Sequence, residues 1–277
     1  RRSFSLAGMG GGGRGLSSPM TLVKASDVHA HRSSNQFILA HFLPNNTRSL
    51  SAALLSFHNQ SVNIWTHLLA LPLCASLMWR DAEPAHATLS VALRVHAMFG
   101  TACGLASVAF HTAEAFPKHI YDALLSVDQA GALLACASHS FLITLFELYE
   151  QPRATLAVLL LLGIVTMPGL FLMLHGRARS NKQTGTALMG VPLLVGLGTW
   201  ICACPTPSTP ALLRITSTLA FATAIWVGKV PERWLSPGSL DLMGNSHNVM
   251  HVLVLLVFLQ LQWHYDAVLT QRITSAA

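Results

Sequence analysis

Two histidines, His247 and His251, stand four residues apart where an apolar run running to Phe258 begins. On a helix, positions i and i+4 share a face, so both imidazoles can reach one ion. Other groups of suitable chemistry sit at further span ends: His111 closes the second apolar run, Ser107 lies one turn before it, and Asp128 lies inside the third run. Ionisable side chains at membrane depth cost about 2.5–3.5 kcal/mol each on insertion scales, so a cluster of them points to function. Three neutral imidazoles suit Zn2+, which favours tetrahedral nitrogen ligation at about 2.0–2.1 Å. Three protein ligands also leave a fourth position for water, the pattern of catalytic zinc sites. Zinc lowers the pKa of such a water towards about 7. Asp128 is then placed to take or orient its proton, and Ser107 to hydrogen-bond the same water or a developing oxyanion. A histidine pair alone is equally what interhelical hydrogen bonding uses. The coincidence of His111, Asp128 and Ser107 at one depth favours the metal. His67, His139 and His264 lack such company and read as packing histidines, and His29 and His31 as solvated tail residues.

The elements that must bring these residues together are membrane helices. Of 277 residues 52% are hydrophobic and only 10% charged, and the mean hydropathy is +0.50; a soluble domain carries about 25% charge. Seven apolar runs are long enough to cross about 30 Å of hydrocarbon: residues 62–79, 89–111, 122–146, 154–175, 186–204, 211–229 and 246–265. Interior prolines and glycines do not argue against helix in such spans. Strands of a membrane barrel would be about ten residues long and alternating, which these runs are not. The fold class expected is therefore all-α, a seven-transmembrane bundle. Lys and Arg set its orientation. Arg1, Arg2, Arg14, Lys24, Arg32, Arg48, Lys118, Arg177, Arg179, Lys182, Lys229 and Arg233 fall on the side of the amino terminus. Arg80, Arg94, Arg153, Arg214 and Arg272 fall on the other, which predicts a cytosolic amino terminus. In that topology span two ends, span three begins and span seven begins at the cytosolic face, placing His111, Asp128, His247 and His251 in one layer. The basic pI near 9.4 then reflects topology, and no nucleic-acid partner is expected.

Three parts are expected along the chain: a disordered cytosolic tail over 1–47, the membrane domain over 48–268, and a short extracellular tail over 269–277. The first 35 residues are rich in Gly, Ser and Arg, and no apolar stretch typical of a signal peptide follows the basic start. Leu50, Ala53, Leu54 and Phe57 recur at i, i+3, i+4 and i+7, predicting a short amphipathic helix over 48–59 on the membrane surface. The sequons at Asn45 and Asn59 are expected to stay unglycosylated on the cytosolic side. The five cysteines, Cys74, Cys103, Cys136, Cys202 and Cys204, fall in apolar spans and read as packing residues without a thiolate metal framework.

Three stretches resemble the progestin and adipoQ receptor family, which groups with haemolysin III-like proteins and alkaline ceramidases. They are Ser56–Leu69 (SFHNQSVNIWTHLL), Ser107–His111 through Val127–Gly131, and Val230–His251 (VPERWLSPGSLDLMGNSHNVMH). The match ties down residues 48–265. It implies a seven-helix fold with a cytosolic amino terminus and zinc held by three histidines, which map to His111, His247 and His251. Asp128 corresponds to the aspartate that contacts the zinc-bound water, with the serine matching Ser107 nearby. The chain departs from the family motifs at Gln60, where an acidic residue is common, at Gln129, where an aromatic is frequent, and at Asn248, where glutamine is usual. None of these positions is a zinc ligand.

Two functions remain open from the sequence. In one, zinc hydroxide aided by Asp128 hydrolyses a lipid amide such as ceramide. In the other, a lipid or steroid-like ligand biases a receptor, or the bundle is a scaffold, and the zinc is structural. Short external loops offer little surface to a protein hormone. The open fourth position favours the enzyme, and the two roles are compatible if a hydrolysed lipid is the signal. The plasma membrane and the endoplasmic reticulum or Golgi are the expected locations.

Overall fold

A computed structural model describes residues 21–47, 49–79, 84–175, 182–203 and 206–276. Among these the chain is helical, with no strand beyond one isolated antiparallel bridge, Val23 to Phe42. The helices are α1 (Leu50–Leu55), α2 (Ser61–Ser76), α3 (Ala87–Thr112), α4 (Lys118–Glu147), α5 (Pro152–Leu174), α6 (Lys182–Ala203), α7 (Thr209–Gly228) and α8 (Ser246–Ala276). Seven of them, α2 to α8, are long and apolar enough to cross a membrane, matching the seven runs expected.

Helix ends follow local chemistry. Proline opens α5 and stands in the first turn of α7, where a missing N–H costs nothing. Lys229, at φ 55°, takes the left-handed position that closes α7. Inside α6, Pro192 and Gly196 let that helix approach α4 closely. The Ser140 hydroxyl donates to the Pro192 carbonyl at 2.6 Å, and a Cβ on Gly196 would collide with Ser140.

α4 is the central element, packed against α3, α5 and α6, while α2 lies on α3 and α7 on α8. The main apolar core joins Leu89 and Leu93 of α3, Leu142 and Phe146 of α4, Leu212 and Ile215 of α7, and Leu261, Tyr265 and Leu269 of α8. These residues occupy the start of α3 and the later part of α8, so the core fills the end of the bundle away from His111 and His247. Packing continues past the expected end of span seven. The stretch 269–276, read from sequence as a tail, is the last part of α8. Leu269 is buried, Ile273 packs on the core, and the Arg272 guanidinium lies 5.1 Å over the Tyr149 ring.

The other end carries the largest difference from the sequence reading. The tail expected to be disordered through residue 47 is folded from residue 21, while residues 1–20 lie outside the described residues. The glycine-rich composition belongs to those first residues, whereas Val28, Ile38 and Phe42 form a small core and Leu43 joins Ala53 and Ala115. Polar anchors tie this segment to the α7–α8 connection. Leu39 N–H donates to Asp241 at 2.8 Å, Gly238 N–H to the Phe37 carbonyl at 2.9 Å, and Asn35 to Glu232 at 3.0 Å. His31, expected to be solvated, is half-buried, its ring meeting Tyr121 edge-on at 4.5 Å. The amphipathic helix expected over 48–59 is only α1. The His58 ring takes the Ala53 carbonyl at 2.8 Å and Ser61 the Ser56 carbonyl at 3.1 Å, which ends the helix. Of its predicted stripe Ala53 is buried, and Leu50 and Phe57 are exposed.

Candidate metal centre

The last turn of α3 presents Ser107 and His111, and the first turns of α8 present His247 and His251. The start of α8 is held firmly. The Asn245 side chain accepts the backbone N–H groups of His247 at 3.1 Å and Asn248 at 3.2 Å, an N-cap arrangement. Glu232, buried in the α7–α8 connection, accepts the Ser246 N–H at 2.7 Å and its hydroxyl as well. Burial alone would raise the Glu232 pKa. The bonds donated by Ser246 and Asn35 outweigh it and hold the carboxyl below the usual carboxylate range.

One ring nitrogen from each of His111, His247 and His251 lies within 4.8 Å of the other two, the set of metal-binding geometry found among the described residues. The Nε2 atoms of His247 and His251 are 3.0 Å apart, and the His111 ring centroid is 5.4 Å from that of His247 and 5.0 Å from that of His251. Bonds of about 2.0–2.1 Å at tetrahedral angles put ligand atoms roughly 3.3–3.4 Å apart, inside this spread. His111 and His251 are buried and His247 half-buried. The donor set therefore fits a zinc ion in type, number and spacing.

The outward-facing nitrogens are engaged too. His111 Nδ1 donates to Gln60 Oε1 at 2.8 Å, and His251 Nδ1 meets His67 Nε2 at 2.5 Å. Gln60 also accepts from Asn63 Nδ2 at 2.7 Å, and Asn63 Oδ1 accepts from Asn248 Nδ2 at 2.7 Å. His67, read from sequence as a packing residue without a partner, thus stands against a member of the triad. A signal was present in the sequence: positions 60, 63 and 67 are one polar face of an otherwise apolar helix.

Ser107 is buried on α3 and faces the Asp128 carboxylate on α4. Asp128 does not belong to the three-nitrogen set. Phe110 lies 4.9 Å from the His111 ring and Trp226 6.4 Å from His247, giving the layer an aromatic border. The described cysteines are not members of the set. Among the described residues Cys74, Cys103, Cys136 and Cys202 are free thiols, and Cys204 lies outside the described residues.

Residues 55–261 match the family model of haemolysin-III related proteins, which is most of the chain. The protein belongs to the haemolysin-III related family. It is 28% identical to heptahelical transmembrane protein 1 of Arabidopsis thaliana, over 90% of this chain and 80% of that protein. It is 29% identical to progestin and adipoQ receptor family member 4 of Mus musculus, over 89% of this chain and 92% of that protein. The adiponectin receptor protein of Drosophila melanogaster is 25% identical over 75% of this chain and half of its own length. The resemblance read from the three motifs is thereby established, and with the seven apolar helices it makes this haemolysin-III related protein an integral multi-pass membrane protein.

Proposed function

We propose that this protein binds zinc through His111, His247 and His251 and hydrolyses a lipid amide, with ceramide as the representative substrate. The observation that carries the reading is the three-imidazole set, two of its rings buried, with an acid and a hydroxyl, Asp128 and Ser107, facing each other at the same end of the bundle. Zinc held there supplies Lewis acidity towards a carbonyl oxygen and makes water available as a nucleophile near neutral pH. The remaining work falls to side chains. Asp128 takes the proton of the attacking water and returns it to the departing amine nitrogen, so that no net proton is consumed in breaking the amide. Ser107, facing Asp128, offers a hydroxyl that orients the carboxylate. The exposed apolar flanks of the helices bring a membrane-dissolved substrate to the bundle without passage through water. We place this layer at the cytosolic face on the strength of the Lys and Arg distribution.

The test has two parts. Elemental mass spectrometry of the detergent-purified protein should give near one zinc per chain. Assay with ceramide-type substrates should then show turnover that Asp128→Ala abolishes while zinc is retained. Turnover unchanged by Asp128→Ala removes that residue from the mechanism. A second reading draws on relatives named as receptors: zinc pins α3 to α8 and a lipid-like ligand biases the bundle. Zinc without turnover, together with a loss of thermal stability in His251→Ala, supports that reading instead.

A further inference from the structure

We infer that a second layer of this chain's own side chains, Gln60 with Asn63 and Asn248 behind His111, and His67 behind His251, sets the tautomers of the metal-binding histidines and tunes how strongly they hold the ion. This rests on the zinc reading above and goes beyond it, since it concerns residues that touch no metal.

The argument begins with proton counting. An imidazole that offers Nε2 as a lone pair must carry its proton on Nδ1, and that proton needs an acceptor when buried. At His111 the acceptor is Gln60 Oε1, 2.8 Å away. At His251 it is His67 Nε2, which requires His67 to keep its own proton on Nδ1. Each contact leaves Nε2 free to face the other members of the triad, and the Nε2 atoms of His247 and His251 do approach each other.

The amide of Gln60 is itself oriented. Its oxygen could be exchanged for its nitrogen by a half-turn, which would set two donors against each other at His111. Asn63 opposes a turn of Gln60 alone, which would set a second pair of donors against each other. Its Nδ2 donates to Gln60 Oε1, and its Oδ1 is taken by Asn248 Nδ2. The bonds run from Asn248 on α8 through Asn63 and Gln60 at the start of α2 to an oxygen shared with His111 on α3. The amide oxygen that receives the His111 proton thus carries two donors, and Asn248 ties it to the helix that carries His247 and His251. The backbone adds to this. Gln60 N–H donates to His58 Nδ1 at 3.2 Å, and His58 is in turn bonded to Ala53.

The acceptors are also uncharged. A carboxylate behind a metal-ligating histidine raises the basicity of the ring and strengthens its bond to the ion. An amide oxygen and a neutral imidazole do so less. The geometry points to a site that holds zinc less tightly than a carboxylate-backed one and leaves more of the charge of the ion available to polarise a bound carbonyl.

Zinc dissociation constants, measured by competition with a chromophoric chelator on detergent-purified full-length protein, test this, with apo-state melting temperatures in parallel. Gln60→Ala and His67→Ala should each weaken zinc by about 10–100-fold, the usual consequence of removing such a partner. Gln60→Glu, nearly isosteric, should tighten zinc. Asn63→Ala should weaken it by less than Gln60→Ala, because Asn63 acts through Gln60. His67→Gln, which keeps an acceptor, should recover part of what His67→Ala loses. A purely structural role would lower the apo melting temperature and leave the dissociation constants of folded variants at the wild-type value. That result, or a Gln60→Glu variant that binds zinc more weakly than wild type, overturns the inference. Since Gln60→Glu changes one atom, it remains informative if the alanine variants do not fold. A wild-type protein that takes up no zinc would overturn both this inference and the zinc reading, whereas zinc bound equally by wild type and all variants would overturn this one alone.

Discussion

The bundle contains two histidine groups, and their ring spacings alone do not tell them apart. His96 and His139 lie 4.8 Å between centroids and edge to face; His247 and His251 lie 4.7 Å apart and tilted similarly. What separates them is where the nitrogens go. In the first group His96 Nδ1 is bonded to Ser138 Oγ at 2.9 Å and His139 Nδ1 to its own helix at the Ala135 carbonyl, 2.8 Å away. Phe258 stacks on His96 at 4.3 Å. In the second group the Nδ1 atoms of His251 and of a third ring, His111, meet His67 and Gln60, the Nε2 atoms of His247 and His251 approach each other, and His111 closes the set. Buried imidazoles are tolerated either way, but only convergence of lone pairs makes a ligand set.

Truncating residues in each group sharpens that contrast. The largest effect is expected from His247→Ala/His251→Ala, which should take the metal content from near one zinc per chain to none by elemental mass spectrometry. The corresponding His96→Ala change should leave zinc content intact. Next comes Asp128→Ala, expected to abolish lipid amide hydrolysis at unchanged zinc content; residual turnover above background would return the carboxylate to a packing role. His96→Ala should then lower stability by roughly 2–5 kcal/mol, the range for truncating a large buried side chain, read from thermal melts in detergent. If that variant also loses zinc, the two groups are not separate sites.

The smallest effect concerns the clamp on α8. Glu232 has a folded-state pKa below its unfolded value, so it contributes stability at pH values above the unfolded carboxylate pKa. That contribution falls away as pH drops through the lowered folded value. Melting temperature should therefore fall on acidification below about pH 4, in the direction expected of an ordinary carboxylate partner. Glu232→Gln should flatten this dependence and cost roughly 1–3 kcal/mol at neutral pH, because one of the donors at Ser246 or Asn35 loses its acceptor. An undiminished acid slope in Glu232→Gln would assign the slope to other groups.

Much of this was legible in sequence. Seven helices follow from hydropathy, and the depth layer of His111, His247 and His251 follows from counting span ends. Their shared level needed no knowledge of side-chain packing, because i, i+4 spacing and topology restrict them to it, whereas their convergence is visible only in the fold. Residues 21–47 were misread because the glycine-rich beginning dominates the composition, while the anchors, Asp241 and Glu232, lie some 200 positions further on. His67 was missed for a related reason. Its partner is 184 residues away, and an isolated histidine in an apolar helix looks the same whether it meets leucine or another imidazole. The motif departures at Gln60 and Asn248, read separately from sequence, turn out to be joined through Asn63. Only the fold shows that they belong to one hydrogen-bonded set.

The folded amino-terminal segment has a mechanical meaning. Asn35 holds Glu232, Glu232 holds Ser246, and Ser246 is the neighbour of His247. Residue 35 and the ring of His247 are thus in series on one short load path of two hydrogen bonds and a peptide unit. A displacement of Asn35 is passed through Glu232 to the first turn of α8.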